Sequence, residues 1–205
     1  MTLLRSGVKL TLMKNFISYI CFSIFFITSS FAELISIADI KIGDRVTVYF
    51  TSKKISKYYV DDMEKTPKGE QLWGKDLKYS VIAIFADDVI KEDYEVVQIY
   101  YENKTDKIVS IQTINQNSSK SDCINMRDKY VSIYKKKNRI NSLFSKYQDI
   151  HKYPDGMIDD FIKFENSKEV IGFSCYIYQD GRINYRFQIY EKNYNDWIFN
   201  KFNEN

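Results

Sequence analysis

The sequence predicts an α+β domain in which an antiparallel β-sheet carries one long helix on a face. Three features predict it: two apolar segments in mid-chain with hairpin spacing, a helical apolar stripe directly after them, and two alternating segments joined by Asp180-Gly181. Alternation is typical of half-buried strands, and an apolar repeat every three or four residues is typical of a packed helix. Short helices are expected near the mature N-terminus and at the C-terminus.

The first 32 of the 205 residues predict a secretory signal peptide. An unbroken apolar run, 16–27, is shorter than the roughly 20 residues that a transmembrane helix needs. Ser30 and Ala32 then place small residues where signal peptidase cleaves. We therefore expect cleavage between Ala32 and Glu33, an exported protein (periplasmic or secreted), and a single domain over 33–205.

The charge of the mature chain differs from that of the whole chain, which has 30 basic and 27 acidic residues. The signal holds three basic residues and no acidic one, so the mature part carries 27 of each sign and no net charge. This balance predicts neither a nucleic-acid partner nor a charged membrane surface.

Met13 opens a signal peptide of more usual form than Met1 does. Met13 is therefore an alternative start of translation.

The beginning of the mature chain leaves two interpretations open. Segment 45–50 alternates like a strand, yet Asp44 and Ser52 can each cap a short helix. Segment 55–63 has weak helical periodicity. Segment 77–86 alternates and is predicted to be a strand.

The middle of the chain predicts a hairpin. Segments 94–101 and 107–114 are joined by the turn-like residues 102–106. The apolar residues expected to meet on one face are Val97, Ile99, Tyr101, Val109 and Ile111.

The stretch after the hairpin predicts the long helix. Ser119 and Asp122 stand three residues apart as in a capping box, with Asp in place of the usual Glu. An apolar stripe follows, interrupted by Lys137, and Asn138 marks a place where the helix can break. The stripe comprises Cys123, Met126, Tyr130, Ile133, Ile140, Phe144 and Tyr147.

The last third of the chain is rich in strand signals. Segment 157–164 predicts one strand, and 168–178 and 182–190 predict two more. The turn between the latter two is Gln179-Asp180-Gly181, where glycine accepts a positive φ. Their apolar faces comprise Ile171, Phe173, Cys175 and Ile177 on one strand and Ile183, Tyr185, Phe187 and Ile189 on the other.

The chain closes with segment 195–202, which predicts a short helix. Asn195 or Asp196 would cap it. Trp197 and Phe202 would dock it on the sheet.

The two cysteines of the mature chain predict a disulfide. Cys123 and Cys175 lie on apolar faces of the helix and of a strand, and export places them where disulfides persist. The bridge would close a loop of about 52 residues and stabilise the fold by on the order of 4 kcal/mol in the chain-entropy estimate. The alternative is thiol chemistry, because a helix N-terminus and Arg127 would lower the pKa of a Cys123 thiol. His151 would be its base, but it lies in a predicted loop and no CxxC is present.

Motifs for other chemistry do not occur in the sequence. There is no GxGxxG, P-loop, HExxH or GxSxG, and one His with two mature Cys is too few for a His/Cys metal cluster, so no cofactor is predicted. The carboxylates of the Asp159-Asp160 pair should point to opposite faces of a strand. A periplasmic hydrolase with a carboxylate pair near His151 and Asp155 is the alternative function.

The outward faces of the predicted strands favour binding over catalysis. Tyrosines and an arginine on a sheet face can contact a peptide, a glycan or an envelope protein. In a chain with 17 tyrosines, a solvated face is the plain alternative. The preferred hypothesis is a non-enzymatic exported binding or envelope-accessory domain. Its candidate binding residues are Tyr100, Tyr176, Tyr178, Arg186 and Tyr190.

Several short stretches support a resemblance to a family: 40–50, 94–101, the Asp-Cys that opens the helix, 175–178 and 187–197. Over residues 38–198 the chain resembles small exported proteins of reduced-genome marine bacteria. The resemblance implies an α+β fold with the same two cysteines, and it implies no activity.

Overall fold

The computed structural model of the protein describes residues 36–37, 40–60, 69–85, 94–137 and 140–203. The predicted signal peptide and its cleavage site, Ala32 and Glu33, lie outside the described residues. Within them, no helix combines the length and apolar character that crossing a membrane requires.

The described residues form nine strands and four helices. In chain order they are β1 (Ser36–Ile37), β2 (Ile40–Lys41), α1 (Val46–Tyr49), α2 (Ser52–Tyr58), β3 (Tyr79–Phe85), β4 (Val96–Glu102), β5 (Ile108–Asn117), α3 (Lys120–Lys136), β6 (Ser145–Lys152), β7 (Ile158–Glu165), β8 (Glu169–Ile177), β9 (Ile183–Glu191) and α4 (Lys192–Asn203). Strands β3 to β9 make one antiparallel sheet in the order β3-β4-β5-β9-β8-β7-β6. The predicted α+β class, with a long helix on the sheet and short helices at both ends, is confirmed.

The long helix α3 covers the first face of the sheet, over β8, β9 and β5. Ser119 caps it as predicted, because its side chain accepts a hydrogen bond from the Asp122 N–H at 3.1 Å. The helix packs through aromatic contacts, for example Tyr130 stacked on Tyr185 with ring centroids 5.5 Å apart. The core on this face is therefore built from the alternating residues of β8 and β9, as the sequence predicts.

The closing helix α4 packs on the second, opposite face. Tyr194 is buried there, and its hydroxyl accepts a hydrogen bond from Trp73 Nε1 at 2.9 Å. Tyr79 meets both Tyr194 and Trp197 edge-on. The predicted docking through Trp197 and Phe202 is confirmed, so the sheet separates two apolar cores.

The helix boundaries differ from prediction in three places. Helix α3 ends at Lys136, close to the break that the sequence allows at Asn138, so the stripe residues Ile140, Phe144 and Tyr147 do not belong to it. Helix α4 begins at Lys192, so Asn195 and Asp196 lie inside it and do not cap it. Thr51 caps α2 instead of Ser52.

Two strand predictions were also wrong. Segment 145–152, assigned to helix and loop, is strand β6, which carries both Tyr147 and His151. Val109 does not join the face of Val97 and Ile99, because a register shift between Tyr100 and Tyr101 turns it toward the second core.

Candidate functional site

The disulfide between Cys123 and Cys175 is present, with Cα atoms 5.9 Å apart. Both residues are fully buried. Cys123 lies in the first turn of α3 and Cys175 on β8, as predicted. In this structure the cysteine at the helix N-terminus is bonded to its partner and has no free thiol.

Arg127, which the sequence offered as an activator of the thiol, has another role. Its Nη1 donates to Asp160 Oδ1 and, at 3.3 Å, to the Asp160 carbonyl. Arg127 and Asp160 are both buried. Asp160 lies opposite Cys175 in the β7–β8 register. The ion pair and the disulfide thus join α3 to the same place on the sheet.

Asp159 points to the second face while Asp160 points to the first, which confirms the opposite orientation expected of adjacent strand residues. Asp159 is only 7% exposed, and its Oδ1 has no hydrogen-bond partner among the described residues. Burial raises the pKa of its carboxyl from 3.8 to about 6, although the hydroxyls of Ser174 and Tyr176 and the charge of Arg186 oppose the shift.

Arg186 lies two strands away from Asp159 on the same face. It stands opposite Ser174 on β8, while Tyr176 stands opposite Asp159 on β7. The Arg186 Cζ lies 4.2 Å from the centroid of the Tyr176 ring, and Nη2 donates to the Tyr178 hydroxyl. Its Nε is buried and has no hydrogen-bond partner in the described part of the chain. We call Asp159, Ser174, Tyr176, Tyr178 and Arg186 the tyrosine–arginine site.

The other two candidate residues, Tyr100 and Tyr190, lie beside this site under α4. Tyr100 is buried against Trp73 and Tyr194. Tyr190 stacks on Tyr194, and its hydroxyl donates to Gln188 Oε1. They therefore help to build the second core and to form one wall of the site.

A row of glutamines connects that wall to the next strands. Gln188 Nε2 donates to Gln112 Oε1 at 2.9 Å, and Gln112 Nε2 donates to Gln98 Oε1 at 3.2 Å. The Tyr100 hydroxyl also donates to Gln98 Oε1, at 3.0 Å. Because each amide is held by its neighbours, the polar floor next to Arg186 is fixed in position.

The residues of the hydrolase hypothesis have local structural roles. Asp155 Oδ1 accepts a hydrogen bond from the Met157 N–H at 3.0 Å and shapes the turn between β6 and β7. His151 is exposed on β6 and meets the Tyr153 ring edge-on at 4.5 Å. In the residues described, no group of three His, Cys, Asp or Glu side chains is arranged to hold a metal ion.

Sequence reasoning identified Arg186 and its tyrosines but missed Asp159 and Ser174 as members of the site. The signal in the sequence that could have found Ser174 is the alternation of side chains along β8. Ser174 stands between Phe173 and Cys175, which are buried on the first face, so its own side chain belongs to the second face. Alternation assigns a face but does not show that the outward residues are buried by their neighbours.

Comparisons with protein-family models, with curated proteins and with solved structures give no match. The resemblance to marine bacterial proteins therefore stays a prediction, and the function has to be argued from the site.

Proposed function

We propose that the mature chain is an exported, non-enzymatic binding or envelope-accessory domain whose ligand contacts the tyrosine–arginine site. The disulfide supports export, because disulfides form and persist in oxidising compartments. The ligand that we propose is a peptide or a glycan of the cell envelope.

The observation that carries the proposal is a pair of buried polar atoms that have no hydrogen-bond partner among the described residues. Arg186 Nε needs an acceptor and Asp159 Oδ1 needs a donor. Leaving one buried polar atom unpaired costs about 1–3 kcal/mol, and more when the group is charged. A ligand that offers an oxygen to Arg186 and a hydroxyl or amide N–H to Asp159 would recover that free energy on binding.

The chemistry of the site supports binding over hydrolysis. Asp159 and Asp160 face opposite sides of the sheet, and Asp155 is engaged by the backbone of its own turn. The guanidinium of Arg186 is held between Tyr176 and Tyr178, which orients its free N–H without mobile side chains. A pre-oriented donor lowers the entropic cost of binding.

The test is binding of the purified mature protein to immobilised envelope glycans and to a peptide library. We expect Arg186→Met to abolish the signal, because methionine keeps much of the side-chain volume and has no N–H in place of the Nε donor. Arg45→Met is the matched control, since Arg45 is exposed and its Nε already donates to the Thr105 carbonyl at 3.3 Å. Circular dichroism checks that both variants are folded. Absence of any signal, or equal loss in both variants, would refute the proposal.

A further inference from the structure

Strand β6 forms one outer edge of the sheet, and all eight of its residues are exposed. Among the described strands only β7 pairs with it. Tyr147 and Ile150 are large apolar residues of this strand that remain about half exposed, at 52% and 53%. An edge strand of this length, with no proline and no recorded bulge, is a template for the addition of another strand.

The hydrogen bonds of β6 show which residues face the free edge. The Ile150 N–H donates to Asp149 Oδ1 at 2.8 Å, so it does not serve the ladder with β7. Backbone groups of an antiparallel strand alternate between its two sides. Gln148, Ile150 and Lys152 therefore present their N–H and C=O groups outward.

The side chains of β6 are complementary to a second, antiparallel copy of the same strand. When Ile150 lies on the two-fold axis, it faces Ile150 of the second copy on the first face of the sheet. Gln148 then faces Lys152 of that copy. On the second face, Asp149 of each copy faces His151 of the other, so a carboxylate meets an imidazole donor twice.

Two other registers are less favourable, because they place like charges opposite each other. Moving the axis to Asp149 brings two Asp149 carboxylates together and also sets Lys146 opposite Lys152. Moving it to Lys152 pairs two lysines directly. Like charges directly opposite in a sheet are destabilising, so the side chains favour the register centred on Ile150 over these two.

We propose that two copies of the chain associate through antiparallel pairing of β6 with Ile150 on the two-fold axis, joining their sheets into one. The Ile150 N–H then donates to the Ile150 carbonyl of the second copy. The carboxylate of Asp149, released from that N–H, accepts from His151 of the second copy. The dimer is independent of the tyrosine–arginine site, so either proposal can fail alone.

The test combines mass measurement with cysteine cross-linking of the full mature protein. Opposed residues in a hydrogen-bonded antiparallel pair have Cα atoms about 5.5 Å apart, within the range of about 4.4–6.8 Å that a disulfide spans. On mild oxidation we expect Ile150→Cys to form a covalent dimer and Gln148→Cys, its matched control, to remain uncross-linked. The native disulfide is fully buried and should not exchange.

Light scattering provides the second measurement. We expect twice the chain mass for the wild type and for Leu143→Lys, since Leu143 is exposed but lies outside β6. Ile150→Lys should be monomeric, because it sets two ammonium groups against each other on the axis. A wild type with the mass of one chain, or equal cross-linking of both cysteine variants, would overturn the proposal.

Discussion

Replacing Asp159 by asparagine should stabilise the fold at neutral pH, and the gain should disappear in acid. The pKa of the Asp159 carboxyl rises from 3.8 to about 6 on folding, mainly because burial penalises its charged form. Below about pH 4 the carboxyl is protonated in both the folded and the unfolded chain, and asparagine resembles it. Between about pH 4 and 6 the carboxyl ionises in the unfolded chain and stays protonated in the folded chain, so the wild type loses stability as the pH rises, and the loss is complete above about pH 6.

The size of the effect follows from the pKa difference. A pKa shift of one unit corresponds to about 1.4 kcal/mol, so the rise to about 6 makes the wild type less stable by on the order of 3 kcal/mol at pH 7. Asp159→Asn should therefore be the more stable protein at pH 7 by up to about that amount, with no difference at pH 4. A stabilising change in the proposed binding site would be an instance of the trade-off between stability and activity.

Urea unfolding followed by tryptophan fluorescence measures the difference. Trp73 is buried in the second core and Trp197 packs against it, so the signal should report loss of the native state. Other titrating groups are common to both proteins and cancel in the difference.

Asp180→Asn is the contrast, because the Arg182 backbone N–H and side chain lower the pKa of Asp180. Its difference from the wild type should grow as the pH rises through that lowered pKa, with the wild type the more stable protein. A difference between wild type and Asp159→Asn that is flat between pH 4 and 7, or has the opposite sign, would refute the assignment of Asp159 as a buried, destabilising carboxylate.

Three further outcomes test the rest of the fold. Replacing both Cys123 and Cys175 by alanine should lower the free energy of unfolding by on the order of 4 kcal/mol, measured by urea denaturation, and the native protein should show no alkylatable thiol by mass spectrometry. Arg127→Met or Asp160→Leu alone should cost about 3–5 kcal/mol by leaving a buried charge unpaired, while the double variant should cost less than either, in a double-mutant cycle. N-terminal sequencing of the exported protein should begin at Glu33, and a start at any other residue contradicts the predicted cleavage site.

The two-residue alternation of apolar residues predicted those strands that have one face covered by a helix. Apolar residues recur at every second position of β8 and β9 because α3 covers the first face of these strands. The turn between them needs Gly181, whose φ is +85°. Strand β6 could not be predicted in this way, because both of its faces are solvated and its sequence carries no apolar alternation. It is a strand because β7 offers a ladder partner, and that pairing is not visible in local sequence.

The candidate site was predictable only in part, for a similar reason. The outward position of Arg186 and Tyr176 follows from the two-residue period of a strand. The burial of Asp159 depends on two things that the local sequence does not show. One is which of the two adjacent carboxylates lies on the second face of the sheet, and the other is the set of side chains from β8 and β9 that surround it there. Those are tertiary contacts, so the pattern Asp159-Asp160 alone does not show that Asp160 forms the ion pair with Arg127 and that Asp159 is the buried carboxyl with a raised pKa.

The disulfide lies directly behind the proposed binding site. Cys175 occupies the position between Ser174 and Tyr176 on β8, with its side chain on the opposite face. The bond to Cys123 therefore fixes the strand that supports Tyr176, and through it the ring that holds the Arg186 guanidinium. Asp160, bonded to Arg127, likewise fixes the strand that carries Asp159. The contacts that attach α3 to the first face thus also set the geometry of the polar groups on the second face. A disulfide-bonded cysteine at the N-terminus of a helix therefore supports the proposed binding site from behind, with no free thiol of its own.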